Sequence, residues 1–427
     1  MQPPPQRNVT GLIVWSTMLV VLTAAPIRNG QSATQASASQ APASQASAAQ
    51  APASQAPASV KPVVAHDPWV PAHKGHADLS TGVYIREDDD LVVHTPFPIV
   101  LRRTYNSGDR HPRQFGTDTT HPGEWWIYGK GDPGVPWGEL ILADGGRIRF
   151  TRISPGESRD GAVLRHDTTP GEFNGALLTW TGSLWEMRLR DGSVAIFASG
   201  AGPQKACALI ERRDPDGHVI KYVRDASGFV SRMESEGQSI TLEYDAQHRI
   251  VRAYDTVQNE VVYTYDDGGR LVRAARSNGP VRRYAYDSRN YLIRIDEPGR
   301  IVENEFDDSG RWAHQVVKSS EDDPDPYVAS ARYVVENGLV VESRFDEGDG
   351  LEVHQYNDQH RTVSETLYAD TPTPVVFRYT LNSSNTTTGA TMACTGAAGA
   401  VTRNVQLTVR DDAAKARAIR ASCILRR

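Results

Sequence analysis

A short motif recurs at a nearly constant interval through the middle of this 427-residue chain. Aligned on an acidic residue, its copies read YDAQHRI (Tyr244–Ile250), YDDGGRL (Tyr265–Leu271), YDSRNYL (Tyr286–Leu292) and FDDSGRW (Phe306–Trp312), spaced by 21, 21 and 20 residues. A degenerate copy, RDASGFV (Arg224–Val230), precedes them, and YNDQHRT (Tyr356–Thr362) follows an acidic interruption at Glu321–Pro326. A period of this length constrains the fold more than any other feature, because each unit must offer the same faces to its neighbours.

The physics of one unit can be read from its residues. A strand ends at Tyr-Asp, two or three residues turn, and Arg-Leu or Arg-Ile begins the return strand. A second turn lies halfway, at Ser277-Asn278-Gly279-Pro280, with counterparts at Glu236-Gly237, Gln258-Asn259 and Pro298-Gly299. Two strands of about seven residues and two short turns account for the period. The Asp is expected to open the turn by accepting a backbone N–H two residues on, and the Gly, where present, to supply positive φ. The Tyr ring packs along the sheet with its hydroxyl near water or a neighbour. The Arg is expected to pair with acidic residues of the next unit. The residues carrying this structural punctuation are Tyr244, Asp245, Arg249, Tyr265, Asp266, Gly269, Arg270, Tyr286, Asp287, Phe306, Asp307, Gly310, Arg311 and Tyr356. None is expected to be catalytic.

These copies resemble the Y-D-x-x-G-R-L consensus of the RHS/YD-repeat family, met best by Tyr265, Asp266, Gly269, Arg270 and Leu271. Upstream, His76–Asp109, with its DLSTG and LRRTYNS strings, resembles the N-terminal domain that precedes such repeats in bacterial RHS proteins. LADGGRIRF and LRDGSVAIF resemble its following hairpins. The resemblance covers roughly 76–370. It implies a β-sheet that spirals into a hollow shell, which encloses a C-terminal toxin in larger relatives and is displayed outside the cell in others. This chain departs from the toxin-bearing pattern: it has only about six units and lacks the Asp-Pro-Gly-Leu-containing motif that marks toxin release there.

The residues themselves predict an all-β body, antiparallel hairpin repeats forming a curved sheet or partial cocoon-like shell. Strand-length runs such as Asp90–His94, Ile99–Tyr105 and Trp185–Arg190 are bounded by Gly, Asp, Asn and Pro, with no helical periodicity as far as Tyr368. Five segments follow: a signal peptide or N-terminal anchor (1–25), an Ala/Ser/Gln/Pro-rich linker (26–65), an RHS-type β domain (66–210), the repeat array (211–370) and a cap or remnant tail (371–427). The apolar run Gly11–Ala25 has the length of a signal-peptide core, an uncleaved anchor being the alternative, and predicts a secreted, periplasmic or cell-surface body. The linker cannot bury enough apolar surface to offset its ordering entropy. Cys394 and Cys423 are candidates for one disulfide, with Cys207 left over; free thiols are the even alternative.

No catalytic, cofactor or metal site emerges. His66, His73 and His76 fit no zinc spacing. The acidic runs Glu87–Asp90 and Glu321–Pro326 follow no calcium-loop pattern and are expected to be solvated turns. The Trp125–Tyr128 cluster is expected to be core, with exposure for stacking on sugar rings as the alternative. A net charge of −6 gives no basic stripe for nucleic acid. The sequence reading is therefore a non-enzymatic, exported scaffold that encloses, displays or binds a polypeptide cargo or a cell-envelope or glycan ligand. It expects no nucleic acid, and a membrane only through the N-terminal segment if uncleaved. A truncated part of a polymorphic toxin system, with a vestigial effector after Thr371, is the alternative.

Overall fold

Hairpin follows hairpin from Trp126 to Val405. The computed structural model describes residues 77–129, 135–169, 171–348, 350–383, 386–406 and 412–423. The signal, linker and His66–His76 readings lie outside the described residues. From Trp126–Gly129 to Gly399–Val405, 25 strands run in sequence order, almost all paired with their chain neighbours and every pair antiparallel, in one barrel-like shell. The first eight close a ring, because the start of Cys207–Arg213 pairs back onto Trp126–Gly129 (Cys207 opposite Ile127, Ala208 opposite Trp126). The other end of Cys207–Arg213 continues into Val219–Arg224, and the meander proceeds from there.

Alternation with period two sets the inner face. In Glu260–Tyr265, Val261 and Tyr263 are buried while Val262 and Thr264 are exposed. The same pattern turns Ile240 and Leu242, Ala253, Ala274, Tyr284, Ile295 and Val302 inward. What covers them is the beginning of the described chain. Strands Ala77–Asp78, Val83–Val93, Ile99–Asn106 and Thr119–Thr120 form a separate four-stranded sheet, and Leu79, Tyr84, Leu101, Tyr105 and Phe115 share one core with the repeat units.

Two expectations are corrected. The Glu87–Asp90 run is no solvated turn but the middle of an 11-residue strand, so its carboxylates alternate: Glu87 and Asp89 face water, Asp88 and Asp90 are buried. A bulge at Asp90 keeps Leu91 inward as well. Nor is Trp125–Tyr128 wholly core. Trp125, Trp126 and Ile127 are half-buried and Tyr128 is exposed, because this strand has solvent on part of both faces.

The tail is part of the sheet as far as Val405. Strands Val375–Leu381, Thr387–Gly396 and Gly399–Val405 extend the meander, followed by the helix Asp412–Ser422. A disulfide joins Cys394 to Cys423, and Cys207 is free.

Candidate functional site: the inner face of the repeat sheet

Each repeat turn is built around its acidic residue. Asp245 Oδ1 accepts the N–H groups of Gln247 and Arg249, and Asp287 Oδ1 those of Arg289 and Tyr291. Asp307 and Asn357 do the same in their units. Third after the acid stands a residue with positive φ: His248, Gly269, Asn290, Gly310 or His360. Non-glycine residues therefore fill a left-handed position that the sequence marked only where Gly occurs.

The Arg does not pair with acids of the following unit, as expected, but with its own. Arg249 reaches Asp245 and Arg270 reaches Asp266, each at 2.7 Å. Four residues on across the turn, the own-unit carboxylate is the nearest anion. The guanidinium then leans on the next unit's ring: Arg249 lies 4.6 Å from the Tyr265 centroid, and Arg270 5.3 Å from that of Tyr286.

The tyrosine hydroxyls look backwards. Tyr244 donates to Val230 O, Tyr265 to Ile250 O, Tyr286 to Leu271 O and Tyr333 to Trp312 O, at 2.6 to 2.9 Å. Phe306 has no hydroxyl, and the carbonyl it would serve, Leu292 O, accepts instead from Asn304 Nδ2 at 3.2 Å. Tyr356 shares a hydrogen with Ser343 Oγ. Burial raises the pKa of every one of these phenols, so they stay protonated donors.

Beside each turn the ladder slips by one residue, pairing Tyr244 with Ile250, Tyr265 with Leu271, Tyr286 with Leu292 and Phe306 with Trp312. A bulge leaves backbone groups outside the ladder, and buried ones need partners. The N-terminal segment supplies them. Ile250 N–H donates to Gln114 O, Leu292 N–H to Tyr105 Oη, and Trp312 N–H to Gly82 O; Thr117 N–H donates to Gly269 O. Ser80 O meets His360 Nδ1 at 3.0 Å. The approach is close: a Cβ on Gly116, where φ is 89°, would stand 2.6 Å from Gly269 O. Five units thus hold one stretch of polypeptide, none of which was legible in the repeat pattern.

Ions fix the same seat. Arg103 bonds Asp90 at 2.7 Å and donates to Tyr284 Oη at 2.7 Å, while Tyr263 donates to Asp90 at 2.8 Å. Arg86 pairs with Asp88 at 2.7 Å and Glu297 at 3.3 Å, and Arg282 lies between Glu297 and Asp90. Burial opposes the charge on Asp88, but Arg103, Arg86 and Arg282 outweigh it and hold its pKa down at about 2. Nearby, Glu124 goes the other way. Burial pushes it up to about 8 against the pull of Arg113 and a 3.3 Å bond from Gln114 N–H, so it is neutral at pH 7. His121, buried beside it, is held neutral at about 3.

Two groups among the described residues have metal-like spacing, Asp214/Asp216/His218 in an exposed turn and Glu352/His354/Glu365 on the inner face. In each, one carboxylate is already engaged: Asp214 accepts from His218 N–H and Nδ1, and Glu365 is held by Lys415 at 2.7 Å and by the Tyr379 hydroxyl at 2.6 Å.

Residues 75–150 match a family described as a domain of unknown function, DUF6531. The chain is also similar to the double-stranded DNA deaminase toxin A of Burkholderia cenocepacia (strain H111), 25% identical over 227 residues. That match takes in 47% of this chain and 15% of the relative, so the chain spans about 15% of that protein's length. Among solved structures, similarity is found to TcdB2-TccC3-TEV (TM-score 0.36, 13% identity, 76% of this chain and 19% of that one). TcdB2-TccC3 without its hypervariable C-terminal region is also similar (TM-score 0.32, 9% identity, 77% and 27%).

Proposed function

We propose that this chain is a non-enzymatic β-repeat scaffold of the RHS/YD type, exported from the cell and acting by holding polypeptide against the inner face of its sheet. One observation carries the reading: five repeat units grip residues 80–117 through hydrogen bonds beside their turns, four of them to the main chain of that segment and one to the Tyr105 hydroxyl. Hydrogen bonds to main chain give affinity with little demand on sequence, the property a holder of polypeptide needs. The similarity to a protein named as a toxin favours a toxin system as the setting. A second reading is a truncated part of a toxin system with a vestigial effector after Thr371. Against it stands the use of residues 375–405 as ordinary strands of the sheet.

The test is a pull-down from the native organism with residues 66–427 as bait, followed by mass spectrometry. One reproducible polypeptide partner supports the holder. Wall or sugar material without protein would replace it with an envelope-binding module. A bait that retains nothing overturns it. For the second reading, toxicity of residues 371–427 expressed inside cells decides in its favour.

A further inference from the structure

The helix Asp412–Ser422 lies over the last part of the inner face, and its buried holds among the described side chains follow one line, with Ala414 and Ala418 packed beside it. Lys415 and Ile419 are its buried residues, one turn apart, and Cys423 follows one turn later; Cys423 N–H still donates to Ile419 O. Arg417 and Arg420 face water.

Opposite that line lie residues of three adjacent strands. Glu365 is paired across the ladder with Phe377, and Phe377 with Met392; Cys394 lies two residues beyond Met392, on the same face. Lys415 therefore meets Glu365, Ile419 enters the cluster of Val375, Phe377 and Met392, and Cys423 is bonded to Cys394. The helix end passes so close that a Cβ on Gly396 would stand 2.8 Å from Ser422 O.

The three fasteners are unequal. A buried ammonium–carboxylate pair returns little beyond the hydration both ions lose. One isoleucine with flanking alanines is a small apolar footprint. An 11-residue helix does not persist in water by itself. The covalent bond is what removes the alternative states of this segment.

From this we propose that the helix is a thiol-sensitive latch: closed over the end of the inner face while Cys394 and Cys423 are joined, and released when they are reduced. The step balances. Two thiols of a reductant give two electrons to the S–S bond, each protein sulfur takes a proton, and the reductant leaves as its own disulfide. Release uncovers Glu365, Tyr379 and the apolar strip of Phe377 and Met392, a stretch of inner face otherwise shut off. The latch goes beyond the holder reading and does not depend on it.

Trypsin provides the readout, since Lys415, Arg417 and Arg420 all lie on the helix. The full chain is digested oxidised, after dithiothreitol, and as Cys423→Ser without reductant, with fragments identified by mass. The expected result is cleavage within 412–422 roughly 10-fold faster or more in the last two, as local opening predicts, with residues 77–367 still resistant. Lys415→Met with the disulfide intact separates the ion pair from the covalent bond and should cleave at the oxidised rate. Equal protection of the helix after reduction would overturn the latch. So would release in Lys415→Met, because the ion pair would then be the deciding hold.

Discussion

The inner face is covered at two places by opposite means. Under residues 77–120, attachment is spread over five units: hydrogen bonds beside each turn, two buried arginines, and rings such as Tyr84 against Phe306 and Tyr105 against Tyr286. Under the helix Asp412–Ser422, among the described side chains, it is gathered around Lys415, Ile419 and Cys423, with Ala414 and Ala418 beside them. Spread attachment tolerates the loss of any one hydrogen bond and gives way only if the core does. Gathered attachment can be undone at one point without disturbing the sheet. The first region is therefore structure, and the second can serve as a moving part.

The comparison predicts its own breaking points. The largest effect should come from Arg103→Met, which takes from buried Asp90 its closest counter-ion and from Asp88 one of its arginines; about 3–5 kcal/mol of global stability should be lost in urea unfolding. Next is pH. The folded pKa of Glu124 is raised above its ordinary 4.5 to about 8, so its contribution is full below 4.5 and is lost as pH rises through 8. Stability should fall across that window, and Glu124→Gln should remove on the order of a few kcal/mol of the decline between pH 5 and 9. Tyr265→Phe should cost about 1–2 kcal/mol by orphaning the buried Ile250 carbonyl. Phe306→Tyr should gain nothing comparable, because Asn304 already serves Leu292 O. Smallest is the exposed Arg102–Asp89 pair: Arg102→Ala should shift stability by less than about 1 kcal/mol, and less still in high salt. If Arg103→Met proved as mild as Arg102→Ala, the distinction between a seated segment and a loosely laid one would fail.

Much of the sheet was legible because its signals are local. A turn acid that accepts the N–H groups two and four residues on, and an alternating return strand, need only a few neighbouring residues, and the period repeats them. Glu87–Asp90 was misread because four acids in a row look like solvent-facing chain; only the strand's alternation and the arrival of Arg103 and Arg282 explain two of them going inside. The partners of Asp90 come from positions up to 192 residues away, and no spacing rule reaches that far. His248 and Asn290 hide the left-handed position that Gly269 advertises. The helix face of Lys415, Ile419 and Cys423 is regular, yet a lysine on a buried face reads as surface until Glu365 is placed beneath it.

The bond between Ser80 and His360 spans 280 residues. Residues 77–120 are made before any repeat exists, but their seat is finished only when nearly all the units have been synthesised and lined up. Contacts of such separation slow folding, since the long loops must close before any gain is collected. The earliest part of the body to be synthesised is therefore among the last to be fixed in place, and until then the N–H groups of Ile250, Leu292 and Trp312 remain open to whatever main chain is nearby.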